Sequence, residues 1–166
     1  MNTTKHFLIA ALLALAAPLS WALDVGQSAP DVDLPGATVA GKLSDLHGKV
    51  VYLDFWASWC GPCKQSFPWM NEMQRKYGAR GLQVVAINLD AKRSDADQFL
   101  QSNAAAFALA FDGRADSARR IGVKGMPTSL LLDGQGKVLY VHQGFRAEER
   151  AELEARVAAA LEGKGP

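Results

Sequence analysis

The two cysteines of this sequence, Cys60 and Cys63, are separated only by Gly61 and Pro62 in the segment DFWASWCGPC. A structural disulfide usually joins distant parts of a chain, and its stabilising effect grows with the length of the loop that it closes. A loop this short removes little entropy from the unfolded chain. The pair is therefore predicted to work as a redox couple in which two thiols and their disulfide interconvert.

The surroundings of the pair predict different roles for the two sulfur atoms. Residues 50–56 form a continuous apolar run typical of a buried strand, and a helix should begin near Cys60 and Pro62. Unpaired N–H groups at a helix N-terminus favour a thiolate, so the pKa of Cys60 should fall below that of a free thiol. Cys63, one turn further in, should face the interior. Cys60 is thus predicted to attack the substrate, and Cys63 to resolve the mixed disulfide and free Cys60.

One carboxylate, Asp54, interrupts the apolar run six residues before Cys60. Cys63 must lose a proton before it can attack, and the acceptor should lie in a dry place. Burial should raise the pKa of Asp54 toward neutrality and suit it to take that proton through a water molecule. The alternative is a strand-end aspartate that only caps a loop.

Strands and helices alternate behind this segment. The helix after the cysteines should end at Gly78 and bend at Pro68. Further strands are predicted at 82–90, 107–111, 128–132 and 137–142, and further helices at 94–103, 115–122 and 147–161. The first of these helices should open with a capping pattern at Ser94 and Asp97. One late hairpin, turning at DGQG, completes an α/β domain whose central mixed sheet is covered by helices on both faces.

The amino-terminal residues predict a secretory signal peptide. Lys5 precedes an apolar run at 7–17, and small residues follow at Ser20 and Ala22. That run is too short for a membrane-spanning helix, which needs about 20 apolar residues. We therefore predict a signal peptide at 1–22, cleaved after Ala22, and one soluble domain at 23–166 in a bacterial periplasm.

The charge balance argues against two classes of partner. The chain carries 18 basic and 17 acidic residues. Such a balance offers no electrostatic attraction for nucleic acid or for an anionic membrane surface. Neither is therefore expected as a partner.

The motifs DFWASWCGPCK and GMPTSLLLDGQGKV, with Pro68 eight residues after Cys60, resemble the thioredoxin superfamily over residues 26–162. An extra strand and helix between AINLD and GMPT, and the early segment GQSAPDVDLPG, are similar to the TlpA-like extracytoplasmic thioredoxins of the ResA/CcmG type. The resemblance implies a thioredoxin fold with an N-terminal extension and an αβ insertion before the strand that follows a cis-proline.

The resemblance also implies which residues meet the substrate. It places a cis Met126–Pro127 bond beside the disulfide, and a substrate surface formed by Trp59, Gly61, Pro62, Met126 and Pro127. Without the resemblance, Pro127 would be interpreted as an ordinary loop proline, because only about 5% of X–Pro bonds are cis.

Two positions depart from the family pattern. Many TlpA-like reductases carry a glutamate three residues after the second cysteine, where this chain has Ser66. The lysine that accompanies the strand aspartate in thioredoxin would fall near Ala86. Asp54 is therefore expected to do the proton transfer without a charged helper.

The favoured function is a thiol–disulfide oxidoreductase that reduces protein disulfides, with no cofactor besides the Cys60–Cys63 disulfide. Gly61 and Pro62 supply no side-chain donor or positive charge that would lower the pKa of Cys60 further, which favours a reductant over an oxidant. The resemblance implies disulfide-bearing periplasmic proteins as partners, a membrane thiol–disulfide electron donor, and a role in cytochrome c or copper-site maturation. We expect a monomer.

Three other functions stay open. A soft-metal module for copper binding or delivery is one, since two thiolates can hold a soft ion, although a structural zinc site would need four ligands. A disulfide donor or isomerase is the second. A peroxiredoxin is the third and most remote, because Leu53 and Ala57 occupy the places of that family's proline and threonine.

Overall fold

The computed structural model describes residues 23–163, so the predicted signal peptide at 1–22 lies outside the described residues. The described residues form a five-stranded sheet, four α-helices and three short 3-10 helices. In this part of the chain no helix is both long enough and apolar enough to cross a membrane.

The sheet is mixed, as predicted. Its strands are β1 (Val50–Trp56), β2 (Leu82–Asn88), β3 (Ala108–Phe111), β4 (Thr128–Leu132) and β5 (Val138–Gln143). They lie in the order β3-β2-β1-β4-β5, with β1, β2 and β3 parallel and β4 antiparallel to both β1 and β5. Three of them, β1, β2 and β4, are buried along their whole length, which explains why their sequences are mostly apolar. Every strand lies within two residues of its predicted bounds.

The helices also follow the predicted order. They are α1 (Gly61–Tyr77), α2 (Arg93–Ser102), α3 (Asp116–Ile121) and α4 (Arg150–Leu161), and the 3-10 helices span Leu43–Leu46, Gly78–Arg80 and Ala147–Glu149. Pro62 lies in the first turn of α1, where its missing N–H costs no hydrogen bond. Pro68 lies inside α1, and the helix continues on both sides of it. The helix predicted at 147–161 is confirmed, except that its first turn is a 3-10 helix.

The capping pattern predicted for α2 is wrong. The helix begins one residue earlier, after Lys92, whose side chain makes no capping hydrogen bond. Asp97 instead accepts a hydrogen bond from Arg93 Nε at 2.8 Å, an i,i+4 ion pair on the exposed face. Ser94 donates to Asp95 at 3.4 Å. The predicted reciprocal pair does not form because Asp97 is engaged by Arg93.

Two apolar cores cover the two faces of the sheet. Successive residues of β1 point to opposite faces of the sheet. Tyr52 and Trp56 pack with α1 and α4, whereas Leu53 and Phe55 pack with α3 and the N-terminal extension. The first core also contains Cys60 and Cys63. The predicted cover on both faces is therefore confirmed, and the disulfide belongs to the core on the α1 side.

Candidate active site

The topology brings the cysteine segment and the predicted cis-proline segment to the same end of the sheet. Strand β1 runs directly into the cysteine loop, and β4 starts directly after Pro127. The two strands are antiparallel, and Phe55 near the end of β1 pairs with Thr128 at the start of β4. The parallel strands β2 and β3 end at this end of the sheet as well. Four connecting segments therefore lie at the end of the sheet that carries the disulfide.

The disulfide joins Cys60 and Cys63 at the start of α1. Cys60 is the N-cap residue, and its Sγ accepts a hydrogen bond from the backbone N–H of Cys63 at 3.2 Å. Cys60 is 5% exposed and Cys63 is fully buried. The predicted position of Cys60 at a helix N-terminus is confirmed. Its role as the attacking thiol stays a prediction.

Asp90 holds the loop before Cys60 in place. Its carboxylate follows β2 and is nearly buried, and it accepts two hydrogen bonds from Ser58, one from the backbone N–H at 2.9 Å and one from the hydroxyl at 3.0 Å. Asn88 Nδ2 donates to the same carboxylate at 2.8 Å. Sequence reasoning missed Asp90, which ties the end of β2 to the residue two positions before the attacking cysteine.

Asp90→Ala should lower the free energy of unfolding of the oxidised protein by about 1–3 kcal/mol, because the Ser58 N–H and hydroxyl lose their acceptor. Urea unfolding followed by fluorescence measures this. Asp24→Ala is the control: Asp24 is exposed and forms no ion pair within residues 23–163, so its effect should stay within about 0.5 kcal/mol. Equal effects of the two changes would show that the clamp contributes nothing to stability.

Asp54 is buried on the face of the sheet that carries the disulfide. It is 1% exposed. Its side chain points to the same face of β1 as those of Tyr52 and Trp56, which belong to the same buried cluster as the two cysteines. The structure therefore places Asp54 in a dry setting on the side of the sheet where a proton acceptor for Cys63 would have to lie.

Burial dominates the electrostatics of Asp54. It raises the pKa of this carboxyl to about 7, although the Ser129 hydroxyl, which donates to Oδ1 at 2.6 Å, acts in the opposite direction. Burial, together with the charge of Asp54, also raises the pKa of Tyr52, against a hydrogen bond with Ser129. Near neutral pH Asp54 can thus hold or release a proton, which is the property that a proton acceptor needs.

Neither of the two positions that depart from the family pattern gives Asp54 a charged partner. Ala86 pairs with Asp54 across β1 and β2 and is fully buried, so it brings no charge. Ser66 is buried inside α1, where its hydroxyl donates to the backbone carbonyl of Cys63 at 2.9 Å. The Ser66 hydroxyl is therefore engaged by the backbone of the first turn of α1, and Ser66 offers no carboxylate for proton transfer.

The implied cis Met126–Pro127 bond is present. Pro127 is buried, and its carbonyl accepts a hydrogen bond from Gly144 N–H at 2.8 Å. Met126 is half-buried and packs against the apolar cluster that contains both cysteines. The structure thus brings the cis-proline segment and the disulfide together.

A groove of about 530 Å³ opens beside Cys60. Trp59, 73% exposed, lines it together with Gly61, so two of the five predicted substrate residues lie in this groove and Pro62, Met126 and Pro127 do not. The opposite wall comes from α2 and its C-cap residue and was not predicted: it consists of Asp95, Gln98, Phe99, Ser102 and Asn103, and Ser58 and Lys64 complete the lining. No sequence signal pointed to this wall, because its residues lie more than 30 positions from Cys60 and are ordinary for an amphipathic helix.

Among the described residues, the structure shows no cluster of metal-ligating side chains that would support the metal-binding alternative. Within residues 23–163, no group of three or more His, Cys, Asp and Glu side chains is arranged to hold a metal ion. The ligands for the soft-metal alternative would therefore be the two thiolates of reduced Cys60 and Cys63, with donors from elsewhere.

The chain matches proteins of known class. The family model described as Redoxin matches residues 24–157. The thiol-disulfide oxidoreductase ResA of Bacillus thuringiensis subsp. konkukian (strain 97-27) is 33% identical over 133 residues, which cover 78% of this chain and 76% of the relative.

Solved structures agree. A crystal structure from Chlorobium tepidum, assigned as the thiol:disulfide interchange protein DsbE, is 60% identical with a TM-score of 0.80, and the match covers 84% of this chain and 99% of that one. A solution structure from Bacteroides thetaiotaomicron, assigned as a protein disulfide isomerase, is 28% identical with a TM-score of 0.74, over 84% of this chain and 91% of that one. These likenesses confirm the thioredoxin fold. Because the redoxin model spans most of the described residues and a third of the aligned positions are identical in ResA, the chain belongs to the redoxin family, as a thiol–disulfide oxidoreductase of the ResA/CcmG type.

Proposed function

We propose that this oxidoreductase reduces disulfides of periplasmic proteins, with Cys60 as the attacking thiol and Cys63 as the resolving thiol. The observation that carries the proposal is the unequal placement of the two sulfur atoms. Cys60 caps α1 and lines the groove, whereas Cys63 is fully buried one turn further in. An attacking thiol has to meet a substrate sulfur, whereas a resolving thiol has to reach only its partner cysteine.

The reaction moves two electrons from the protein dithiol to the substrate disulfide. The Cys60 thiolate attacks one substrate sulfur; an S–S bond forms to Cys60, the substrate S–S bond breaks, and the other substrate sulfur leaves as a thiolate. Cys63 then gives its proton to Asp54 and attacks Cys60 Sγ. The mixed disulfide breaks, the second substrate sulfur leaves, and the protein is left with the Cys60–Cys63 disulfide, which is the state of this structure.

The charged side chains near Cys60 support the proposal that the protein is a reductant. A strong oxidant stabilises its reduced form with a very acidic first thiol. Gly61 has no side chain, and the space that one would occupy is open. The groove is lined by one cationic side chain, Lys64, and one anionic side chain, Asp95, so their charges balance. The helix N-terminus is then the main feature that lowers the pKa of Cys60, and a moderate potential follows.

The reduction potential should lie nearer to the value of about −270 mV for thioredoxin than to about −120 mV for DsbA. Equilibration in glutathione buffers, followed by tryptophan fluorescence, measures it, because Trp56 packs in the same buried cluster as both cysteines. Cys60→Ser, which cannot form the disulfide, is the control and should show no redox-dependent change in fluorescence.

A potential above about −180 mV, in the range of protein disulfide isomerase, would contradict the reductase assignment. It would favour a disulfide donor or isomerase, the class assigned to the solution structure from Bacteroides thetaiotaomicron. The same titration therefore decides between the two functions of this site.

The compartment and the substrates belong to the proposal as well. The predicted signal peptide at 1–22 supports export, and a protein kept reduced outside the cytoplasm needs a dedicated electron donor, for which we propose a membrane thiol–disulfide transporter. The substrates proposed are the cysteine pairs of apocytochrome c or of a copper site. Mass spectrometry of the protein from a periplasmic fraction, with an expected N-terminus at Leu23, tests the export step.

A further inference from the structure

A row of four residues crosses the sheet on the face that carries the disulfide. In the strand register Ala86 pairs with Asp54, Asp54 with Ser129, and Ser129 with His142. Directly paired residues project from the same face, with Cβ atoms about 4.5–5.5 Å apart. Since β5 is the last strand of the sheet, the row leads from the buried centre to an edge.

Two buried polar atoms without a partner flank Ser129. The Ser129 hydroxyl donates to Asp54 Oδ1 at 2.6 Å, but Asp54 Oδ2 and His142 Nδ1 have no hydrogen-bond partner among the described residues. Within residues 23–163, only two other buried side-chain nitrogen or oxygen atoms lack a hydrogen-bond partner, and both are indole nitrogens. Buried polar atoms are nearly always paired, so two such atoms on either side of one hydroxyl indicate a function.

The outer end of the row reaches solvent. His142 Nε2 lies 3.3 Å from Glu149 Oε2, and Glu149 is bound in turn by the exposed Arg146. A carboxylate only accepts hydrogen bonds, so the His142 tautomer with its hydrogen on Nε2 places that hydrogen beside Glu149 and leaves the Nδ1 lone pair able to accept a proton from the interior. Two tyrosines also face the row: Tyr140 stacks on the His142 ring and has Arg156 over its own ring, and Tyr52 on β1 forms a hydrogen bond with Ser129.

We propose that Ser129 and His142 relay the proton of Asp54 between the buried site and the surface. The inference rests on the proposed role of Asp54 as proton acceptor for Cys63. On the other side of Asp54 the row ends at Ala86, which can carry no proton.

The relay balances with one proton moved. After Cys63 has given its proton to Asp54, the carboxylic acid passes a proton to Ser129 Oγ while the Ser129 hydroxyl proton moves to His142 Nδ1. His142 then releases its Nε2 proton to Glu149 or to water, and Asp54 is again a carboxylate. Asp54, Ser129 and the His142 ring each gain one bond to hydrogen and lose one. The ring is left with its hydrogen on Nδ1, and exchange of its ring protons with water returns that hydrogen to Nε2, so no other reactant is needed.

The test uses reduced protein and an aromatic disulfide reagent that releases two coloured thiolates in turn, the first on attack by Cys60 and the second on resolution by Cys63. Protein equilibrated at about pH 5, where Asp54 is protonated, is mixed with the reagent at about pH 8.5. In wild type the second release should not depend on the starting pH. In Ser129→Ala and His142→Gln it should gain a phase about tenfold slower, only after the acidic start.

Matched variants separate the relay from a structural role. Ser129→Thr keeps a hydroxyl and should behave as wild type, and His47→Gln, which changes a histidine outside the row, should do the same. Asp54→Asn removes the acceptor and should slow the second release from either starting pH. A merely structural role of the row would slow resolution equally from both starting pH values.

The outcomes are distinguishable. If Asp54→Asn slows resolution but Ser129→Ala and His142→Gln show no dependence on starting pH, the relay is wrong and Asp54 keeps its proposed role. If Asp54→Asn also resolves at the wild-type rate, the role of Asp54 fails, and the relay fails with it.

Discussion

Cys63→Ser protein should accumulate covalent mixed disulfides with its substrates through Cys60, changing a transient intermediate into the main product. The attacking thiol remains at the N-terminus of α1 and beside the groove, but the thiol that would release the substrate is gone. Non-reducing gels of cells that export the variant, followed by mass spectrometry of the adducts, measure the trapping. The adducts also name the substrates.

Cys60→Ser is the matched control for this experiment. Its remaining thiol, Cys63, is fully buried and does not line the groove, so adducts should be nearly absent. Adducts through Cys63 with none through Cys60 would reverse the two roles. The argument from the helix N-terminus would then be wrong, because the more buried thiol would be the one that meets the substrate.

Local sequence was enough to predict most of the fold. The run at 50–56 is β1 to the residue, because a strand buried on both faces needs a mostly apolar sequence, which only Asp54 interrupts here. The start of α1 followed from Pro62, because proline is favoured in the first turn of a helix. Such features depend on neighbouring residues alone and are therefore visible in the chain before it folds.

The parts of the site that were missed depend on distant residues. Asp90 and Ser58 are 32 positions apart, and Ser129 and Asp54 are 75 positions apart. Each pair meets only because of the order and register of the strands, which no local pattern encodes. The failed cap of α2 has a similar cause at short range, since Arg93 competes successfully for Asp97.

Asp54→Asn should stabilise the oxidised protein in alkaline solution by up to about 4 kcal/mol and change its stability little near pH 4. The pKa of Asp54 is raised in the folded state to about 7, so the folded protein binds this proton more tightly than the unfolded chain does. The resulting stabilisation is fully present below the ordinary aspartate pKa of about 4, falls as pH rises, and is gone above about 7. Asparagine keeps an acceptor for the Ser129 hydroxyl without a buried charge, so the variant should escape this loss.

Urea unfolding of both proteins across this pH range measures the difference, and Asp112→Asn serves as a control of opposite sign. Burial raises the pKa of Asp112, but hydrogen bonds from the Ser117 hydroxyl and from backbone N–H groups outweigh it and leave the pKa below its ordinary value. Asp112→Asn should therefore destabilise the protein at neutral pH, with an effect that shrinks in acid as the wild-type carboxylate is protonated. A difference between wild type and Asp54→Asn that stays constant with pH would show that Asp54 titrates as in the unfolded chain. Burial would then fail to explain its capacity to take the proton of Cys63, and the proposed resolution step would need another acceptor.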